Sequence, residues 1–252
     1  MRVLPIASSS KANAYLVEHE DAIILIDCGL SCKELKARLK AQTGEAGVCD
    51  KISAILITHS HSDHVAGLPV FLKHYDVPIY ANFMTAESII AEYKVPEESF
   101  VCFENGQRFP IGPFEIQPFS IPHDTADPVG YLVSAGEKKY FHATDIGTPL
   151  DSIGVKLAEA DIATIESNHD PVLLRASGRP PSLIQRIAGP RGHLSNDDAA
   201  ELVMKFASSR LRQINLAHLS QDCNAPHIAE RTMKEALNSI GREDVGVVVL
   251  SP

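Results

Sequence analysis

The sequence predicts a mixed α/β fold in which two β-sheets are covered by helices on their outer faces, a four-layer αββα sandwich. Three observations indicate this class. Short apolar runs typical of buried strands recur along the whole chain, helical patterns follow strands in both halves, and hairpins interrupt the alternation. A strictly alternating parallel sheet is therefore disfavoured. No linker or low-complexity tract divides the chain, so we predict one domain, residues 1–252.

The first half of the chain begins with three predicted strands. The run 23–26 is apolar throughout, which indicates a strand buried on both faces. Ser31 is a suitable N-cap for the next helix, in which Leu35 and Leu39 recur at helical spacing. In chain order we predict strands at 3–7, 15–17 and 22–27, a helix at 33–41, a strand at 52–58, a helix at 66–75, a strand at 78–80 and a helix at 86–94.

The second half combines hairpins with strand–helix units. Strand character extends over 100–123, and Gly136 lies at the turn of the next predicted hairpin. Ser195 or Asn196 is a suitable cap for the helix that follows. In chain order we predict hairpin strands at 129–133 and 138–143, a strand at 163–165, helices at 182–187 and 196–206, a strand at 214–217, a helix at 228–237 and a strand at 245–250.

Composition excludes several classes of protein. A net charge of −9 argues against a generally basic nucleic-acid-binding protein. Five cysteines, an odd number at irregular spacing, do not form a disulfide framework. The N-terminus lacks a signal-peptide layout, and no run approaches the roughly 18 apolar residues of a membrane span. We therefore expect a cytoplasmic protein that does not engage a membrane.

The charge is unevenly distributed along the chain. Segment 173–212 has a local charge of +4, with seven basic and three acidic residues. Two interpretations stay open: a solvated helical surface without a partner, or a rim that binds phosphate, because arginine forks match phosphate oxygens. The seven basic residues are Arg175, Arg179, Arg186, Arg191, Lys205, Arg210 and Arg212.

The loop after the strand at 52–58 carries the most informative motif. Four potential metal ligands, His59, His61, Asp63 and His64, occur within six positions. Bringing several imidazoles close to a carboxylate costs free energy unless a bound cation offsets that cost. His59 and His61 lie two apart on extended chain and face the same side. Imidazole nitrogen and carboxylate oxygen suit zinc, and also manganese or iron, so the sequence predicts a metal site here.

This HxHxDH motif after a buried strand resembles the signature of the metallo-β-lactamase-fold hydrolases. The similarity extends over nearly the whole chain, and segments 9–15 and 25–29 resemble the family's opening hairpin. The resemblance implies the metallo-β-lactamase fold and two divalent metal ions, zinc first, with manganese or iron as alternatives. It assigns His59, His61 and His123 to one ion, Asp63, His64 and His218 to the other, and places Asp145 between them.

Two further motifs resemble the phosphodiesterase and nuclease branch of that family. Segment 165–170 (IESNHD) implies that Glu166 lies near the active site, and segment 192–200 (GHLSNDDAA) supplies an extra histidine, His193. His193 precedes a predicted helix, whose N-terminus favours phosphate; a surface histidine is the alternative. Together these motifs resemble the YycJ/WalJ group, relatives of ribonuclease Z that are associated with DNA exonuclease activity.

The resemblance implies a dinuclear metal-dependent phosphodiester hydrolase, with DNA as the expected substrate of an exonuclease. Asp63 would orient or deprotonate water, His193 would donate a proton to the departing oxygen, and Glu166 would hold His193 in the useful tautomer. A small-molecule or cyclic phosphodiesterase is the alternative, and a glyoxalase-II-like thioesterase ranks below it.

Overall fold

The structure, a computed structural model, describes residues 1–250 and divides them into two compact units. The first unit consists of Met1–Pro118 and Thr125–Val129, and the second of Phe119–Asp124 and residues 130–250. Strands and helices occur in both units and form two sheets, so the predicted mixed α/β class is confirmed. The single domain over residues 1–252 stays a prediction.

The first unit contains a six-stranded sheet. Its strands are β1 (Arg2–Ser9), β2 (Ala12–His19), β3 (Ala22–Ile26), β4 (Ile52–Leu56), β5 (Ile79–Asn82) and β6 (Phe100–Phe103), in that spatial order. β1, β2 and β3 are antiparallel neighbours, whereas β3, β4, β5 and β6 run parallel. A hairpin of β7 (Phe109–Ile111) and β8 (Phe114–Ser120) follows. Because β3, β4 and β5 are parallel, their carboxyl ends meet at one edge of the sheet.

Local signals define the first long helix. Ser31 accepts a hydrogen bond from the Glu34 N–H, as its cap position predicts, and Gly44 ends the helix in the left-handed region at φ 76°. Leu35 and Leu39 are buried in the core of this unit. The α-helices of the first unit are α1 (Cys32–Thr43), α2 (Ser62–Val65), α3 (Leu68–Phe71) and α4 (Phe83–Tyr93), with 3-10 turns at Val48–Lys51 and Glu97–Ser99.

The predicted continuous helix at 66–75 is wrong, because two short helices, α2 and α3, meet at Gly67. The Gly67 N–H donates to the Cys28 carbonyl over 2.8 Å instead of continuing the helix. A Cβ at this position would lie 2.0 Å from the Leu30 carbonyl oxygen, so only glycine fits the close backbone approach. The long-range contact therefore overrides the local helical pattern.

The second unit contains five neighbouring strands in chain order. They are β9 (Val129–Ala135), β10 (Lys138–Ala143), β11 (Ile162–Glu166), β12 (Gln213–Ala217) and β13 (Gly246–Val249). β9 and β10 form the predicted antiparallel hairpin, whereas β10, β11, β12 and β13 run parallel. The carboxyl ends of these parallel strands lie at one edge, as in the first unit.

Five helices accompany these strands: α5 (Asp151–Leu157), α6 (Pro171–Ala176), α7 (Pro181–Ile187), α8 (Asn196–Phe206) and α9 (Pro226–Ser239). α8 has the predicted bounds, because Ser195 and Asp198 form a capping box at its start. Sequence reasoning missed α5 and α6. For α6 a signal was present, since Asp170 caps the helix and Pro171 occupies its first position.

Asp161 connects three segments of the second unit before β11. Its carboxylate accepts hydrogen bonds of 2.9 Å from the Lys139 N–H and of 2.9 Å from the Arg210 guanidinium. Burial raises the pKa of Asp161, but these hydrogen bonds and the charge of Arg210 outweigh it, so the pKa falls below its ordinary value. Asp161 therefore stabilises the folded state in its ionised form. Within residues 1–250, no helix has the length and apolar character needed to cross a membrane.

Candidate functional site

The predicted ligands of the first unit lie at the carboxyl end of β4. His59 and His61 occupy the extended segment after this strand, and Asp63 and His64 belong to α2. His59 Nε2 lies 3.1 Å from His61 Nδ1, and His64 Nε2 lies 3.4 Å from Asp63 Oδ2. His59 and His64 are fully buried. The four residues of the motif thus form one cluster, which we call the first cluster.

Asp27, at the carboxyl end of β3, supports the first cluster. Its carboxylate lies 2.8 Å from His64 Nδ1 and accepts a 2.9 Å hydrogen bond from the Thr58 N–H. Because Nδ1 of His64 faces a carboxylate, its Nε2 is left as the basic nitrogen that a metal requires. Burial raises the pKa of Asp27 above its ordinary value, although His64 and the hydrogen bonds from Thr58 act to lower it.

Sequence reasoning assigned no role to Asp27. A signal was present in the sequence, because a carboxylate directly follows the apolar run 23–26. The structure buries this carboxylate fully. Asn13 was also missed: its Nδ2 lies 3.0 Å from His64 Nε2 and 3.1 Å from Asp63 Oδ2. Nothing in the local sequence connects Asn13 with residues fifty positions later; only the pairing of β2 and β3 with the parallel strands brings them together.

The second unit gathers another group of predicted residues, which we call the second cluster. Asp145 follows β10, Glu166 ends β11, His218 follows β12, and His193 precedes α8. The ligand atoms of these four residues all lie within 4.8 Å of one another. Asp145 and His218 have positive φ values of 59° and 57°. Non-glycine residues adopt this region at a cost of about 1–2 kcal/mol, and such strain concentrates at functional sites.

Glu166 is the acceptor that connects the second cluster. Its Oε1 lies 2.8 Å from His193 Nδ1 and 3.0 Å from His218 Nδ1. Its Oε2 accepts hydrogen bonds from the backbone N–H groups of Ile146, over 2.7 Å, and Leu194, over 3.0 Å. With both oxygens occupied, this fully buried carboxylate is suited to orienting two imidazoles rather than to binding a metal itself.

These hydrogen bonds determine the charges in the second cluster. Burial raises the pKa of Glu166, but the charge of His193 and the hydrogen bonds of His193 and His218 outweigh it and lower the pKa. Burial lowers the pKa of His193, but the charge and hydrogen bond of Glu166 raise it above its ordinary value. An ionised Glu166 only accepts hydrogen bonds, so both imidazoles donate from Nδ1 and direct Nε2 away from it.

His123 lies beside Asp145 in the second unit. Its Nδ1 donates a 3.0 Å hydrogen bond to the Gly192 carbonyl, and its Nε2 lies 3.7 Å from Asp145 Oδ1. His193 Nδ1 and His218 Nδ1 each lie 3.6 Å from the same oxygen. The structure thus brings the predicted residues of the second unit to one place.

His142 and His169 also lie in the second unit. His142 is buried, and its Nδ1 lies 3.0 Å from the Tyr140 hydroxyl. His169 is buried as well.

The donor atoms of both clusters fit divalent metal ions. Neutral imidazole nitrogens and ionised carboxylates are the ligands of zinc, manganese and iron sites. In each cluster a carboxylate faces the Nδ1 atom of a histidine, Asp27 for His64 and Glu166 for His218. This pairing is the usual support of a metal-binding histidine, because it sets the tautomer and raises the basicity of Nε2.

Comparisons with known proteins place the chain in a family. A model described as the β-lactamase superfamily domain matches residues 23–214. Exodeoxyribonuclease WalJ of Streptococcus pneumoniae is 34% identical over 247 residues, covering 97% of this chain and 90% of the relative. Exodeoxyribonuclease YycJ of Bacillus anthracis is 34% identical over 239 residues, covering 94% and 89%.

A solved structure agrees with the fold. Zinc-bound PqqB from Methylobacterium extorquens superposes with a TM-score of 0.76 at 15% identity, over 100% of this chain and 98% of that one. The prediction of the metallo-β-lactamase fold is therefore confirmed. The chain belongs to the β-lactamase superfamily and, within it, to the family that includes WalJ and YycJ.

Proposed function

We propose that this protein is a dinuclear metal-dependent exonuclease that hydrolyses phosphodiester bonds at DNA ends. The relatives named exodeoxyribonucleases cover nearly the whole chain at 34% identity. The observation that carries the proposal is the 2.8 Å contact between His193 Nδ1 and Glu166 Oε1. It would prepare an imidazole to donate a proton beside the proposed metal ligands, as general-acid catalysis of phosphodiester cleavage does.

The proposed ligands come from both clusters and are the seven residues of the sequence prediction. They are His59, His61, Asp63 and His64 of the first cluster, Asp145 and His218 of the second cluster, and His123, which lies beside Asp145. Two divalent ions, zinc first, would lower the pKa of a bound water and stabilise the negative charge of the phosphate. This supply of charge resolves the apparent conflict between a net charge of −9 and a polyanionic substrate.

The protein's own residues would handle the protons. His193 would be the general acid: Glu166 raises its pKa, which favours the protonated form, and its side chain is 23% exposed, which would leave it accessible to substrate. Glu166 would hold the His193 ring with Nε2 directed outwards. Asp63, whose side chain is 18% exposed, would orient the attacking water or accept its proton.

The test is digestion of end-labelled single- and double-stranded DNA by the metal-loaded protein. We expect release of nucleotides from the ends, which chelation abolishes and added metal restores. DNA left intact while RNA is degraded would contradict the proposed substrate. Activity that survives exhaustive chelation would contradict the metal requirement.

A variant separates proton donation from metal binding. His193→Ala should lower kcat by about 10²–10⁴-fold, the usual contribution of a general acid. Its metal content should remain that of the parent protein, because His193 is not among the seven proposed ligands. Loss of bound metal in this variant would show that His193 is a ligand instead.

The small-molecule or cyclic phosphodiesterase is the second candidate, because it uses the same ligands. Faster cleavage of bis-p-nitrophenyl phosphate or a cyclic nucleotide than of DNA would favour it. The glyoxalase-II-like thioesterase ranks lower, since a thiol leaving group needs no His193–Glu166 pair. Hydrolysis of a thioester in preference to every phosphodiester would favour that reaction.

A further inference from the structure

We infer that Arg191 binds a phosphate of the nucleic-acid strand next to the one that is cleaved, an inference that rests on the proposed function. Arg191 belongs to the basic segment 173–212. Most of its cations already have a carboxylate partner. The pairs are Arg179–Asp222 at 2.8 Å, Arg186–Asp124 at 2.6 Å, Lys205–Asp151 at 2.7 Å, Arg210–Asp161 at 2.9 Å and Arg212–Asp244 at 3.2 Å.

Two of the seven basic residues differ from the rest. Arg175 and Arg191 are exposed, and no carboxylate within residues 1–250 forms an ion pair with either guanidinium. The charge of each paired cation is already compensated by its carboxylate partner. Any phosphate-binding capacity of this segment therefore falls on Arg175 and Arg191.

Arg191 lies at the second cluster, whereas Arg175 lies on α6. Gly147, two residues after Asp145, packs directly against the Arg191 backbone: a Cβ on Gly147 would lie 2.5 Å from the Arg191 Cα. On the other side, the Gly192 carbonyl accepts the 3.0 Å hydrogen bond from His123 Nδ1. His193, the proposed general acid, follows immediately.

The backbone on both sides of Arg191 is fixed by further hydrogen bonds. The Pro190 carbonyl accepts a 3.0 Å hydrogen bond from Thr148 Oγ1, and the His193 N–H donates to the Ile187 carbonyl over 2.9 Å. A long cation on a fixed backbone loses little conformational freedom when it binds, since only the side chain is ordered. Its planar fork matches two phosphate oxygens, and the seven proposed metal ligands do not include it.

In this arrangement, different residues contact different phosphates of the substrate strand. The metal ligands and His193 act on the phosphate that is cleaved, and Arg191, next in the chain to Gly192, engages a neighbouring phosphate. A substrate with only one phosphate cannot use Arg191. Arg191 therefore gives the protein a preference for polynucleotide strands over small phosphodiesters.

The test compares Arg191→Ala with Arg175→Ala, which removes the other unpaired arginine of the segment. For each metal-loaded protein, kcat/KM is measured on a single-stranded oligonucleotide and on bis-p-nitrophenyl phosphate. We expect the ratio of the two values to fall about tenfold in Arg191→Ala, the low end for a hydrogen bond to a charged group. The ratio in Arg175→Ala should remain that of the parent protein.

Salt dependence gives a second readout that a merely structural role would not change. The slope of log Kd against log salt for the oligonucleotide should decrease by about 0.7 in Arg191→Ala, the contribution of one phosphate contact on a single strand. Arg191→Lys should keep the slope, because it keeps the charge. An unchanged ratio and slope in Arg191→Ala, with a parent protein that degrades DNA, would overturn this inference alone; a parent protein inactive on DNA would overturn the proposed function as well.

Discussion

Replacing Glu166 by Gln tests whether one buried carboxylate sets the tautomers of two histidines. The carboxylate accepts hydrogen bonds from four donors, two backbone N–H groups and two imidazole Nδ1 atoms. An amide has one oxygen and one NH2 group. The backbone donors cannot change, so the amide oxygen should face Ile146 and Leu194 and the NH2 group should face His193 and His218.

These contacts determine how much stability and metal affinity the substitution should remove. Two charge-assisted hydrogen bonds, each worth about 1.5–3 kcal/mol, become neutral ones worth about 0.5–1.5 kcal/mol, so the free energy of unfolding should fall by about 2–3 kcal/mol. Both imidazoles must then accept at Nδ1 and carry their proton on Nε2. For His218, Nε2 is the atom proposed to bind metal, and loss of such a support lowers metal affinity about 10–100-fold.

Three measurements detect the expected effects of Glu166→Gln. Thermal unfolding reports the stability, titration with zinc reports the affinity, and ¹⁵N shifts of the imidazoles report which nitrogen carries the proton. Glu201→Gln, an exposed position on α8, is the matched control and should behave like the parent protein. Full metal affinity together with unchanged Nδ1–H tautomers in Glu166→Gln would refute the reasoning.

Three further predictions concern residues outside the second cluster. Asp27→Asn should weaken metal binding about 10–100-fold through His64, measured by zinc titration, and parent-like affinity would contradict its supporting role. Gly67→Ala should lower the free energy of unfolding by about 1–3 kcal/mol, measured with denaturant, because a Cβ meets a carbonyl oxygen at 2.0 Å. Because the pKa of Asp161 is lowered on folding, its contribution is present above the unfolded pKa and is lost as the pH falls through the folded value. Asp161→Asn should therefore reduce stability at neutral pH but much less under strongly acidic conditions, and equal losses at both would contradict this linkage.

Short-range chemistry made several features readable from the sequence alone. The capping box at Ser195 determined where α8 begins, because the cap and its partner lie three residues apart. The HxHxDH motif placed His59 and His61 together, because alternate side chains of extended chain share one side. The apolar run 23–26 likewise predicted β3, and its residues are buried in the structure.

Tertiary structure decided what depends on residues distant in the chain. The break at Gly67 arises from the approach of Leu30, and the contact of Asp27 with Thr58 arises from the pairing of β3 with β4, because no local pattern encodes a partner about thirty residues away. Likewise, every basic residue of segment 173–212 has the same expected charge, and only their carboxylate partners distinguish Arg191 from the paired cations. The sequence by itself determined the types of the candidate ligands and the order of most strands and helices, because propensity and spacing act locally. The strand order then determined which candidate ligands lie together and which carboxylates face them, because parallel strands bring distant carboxyl ends to one edge.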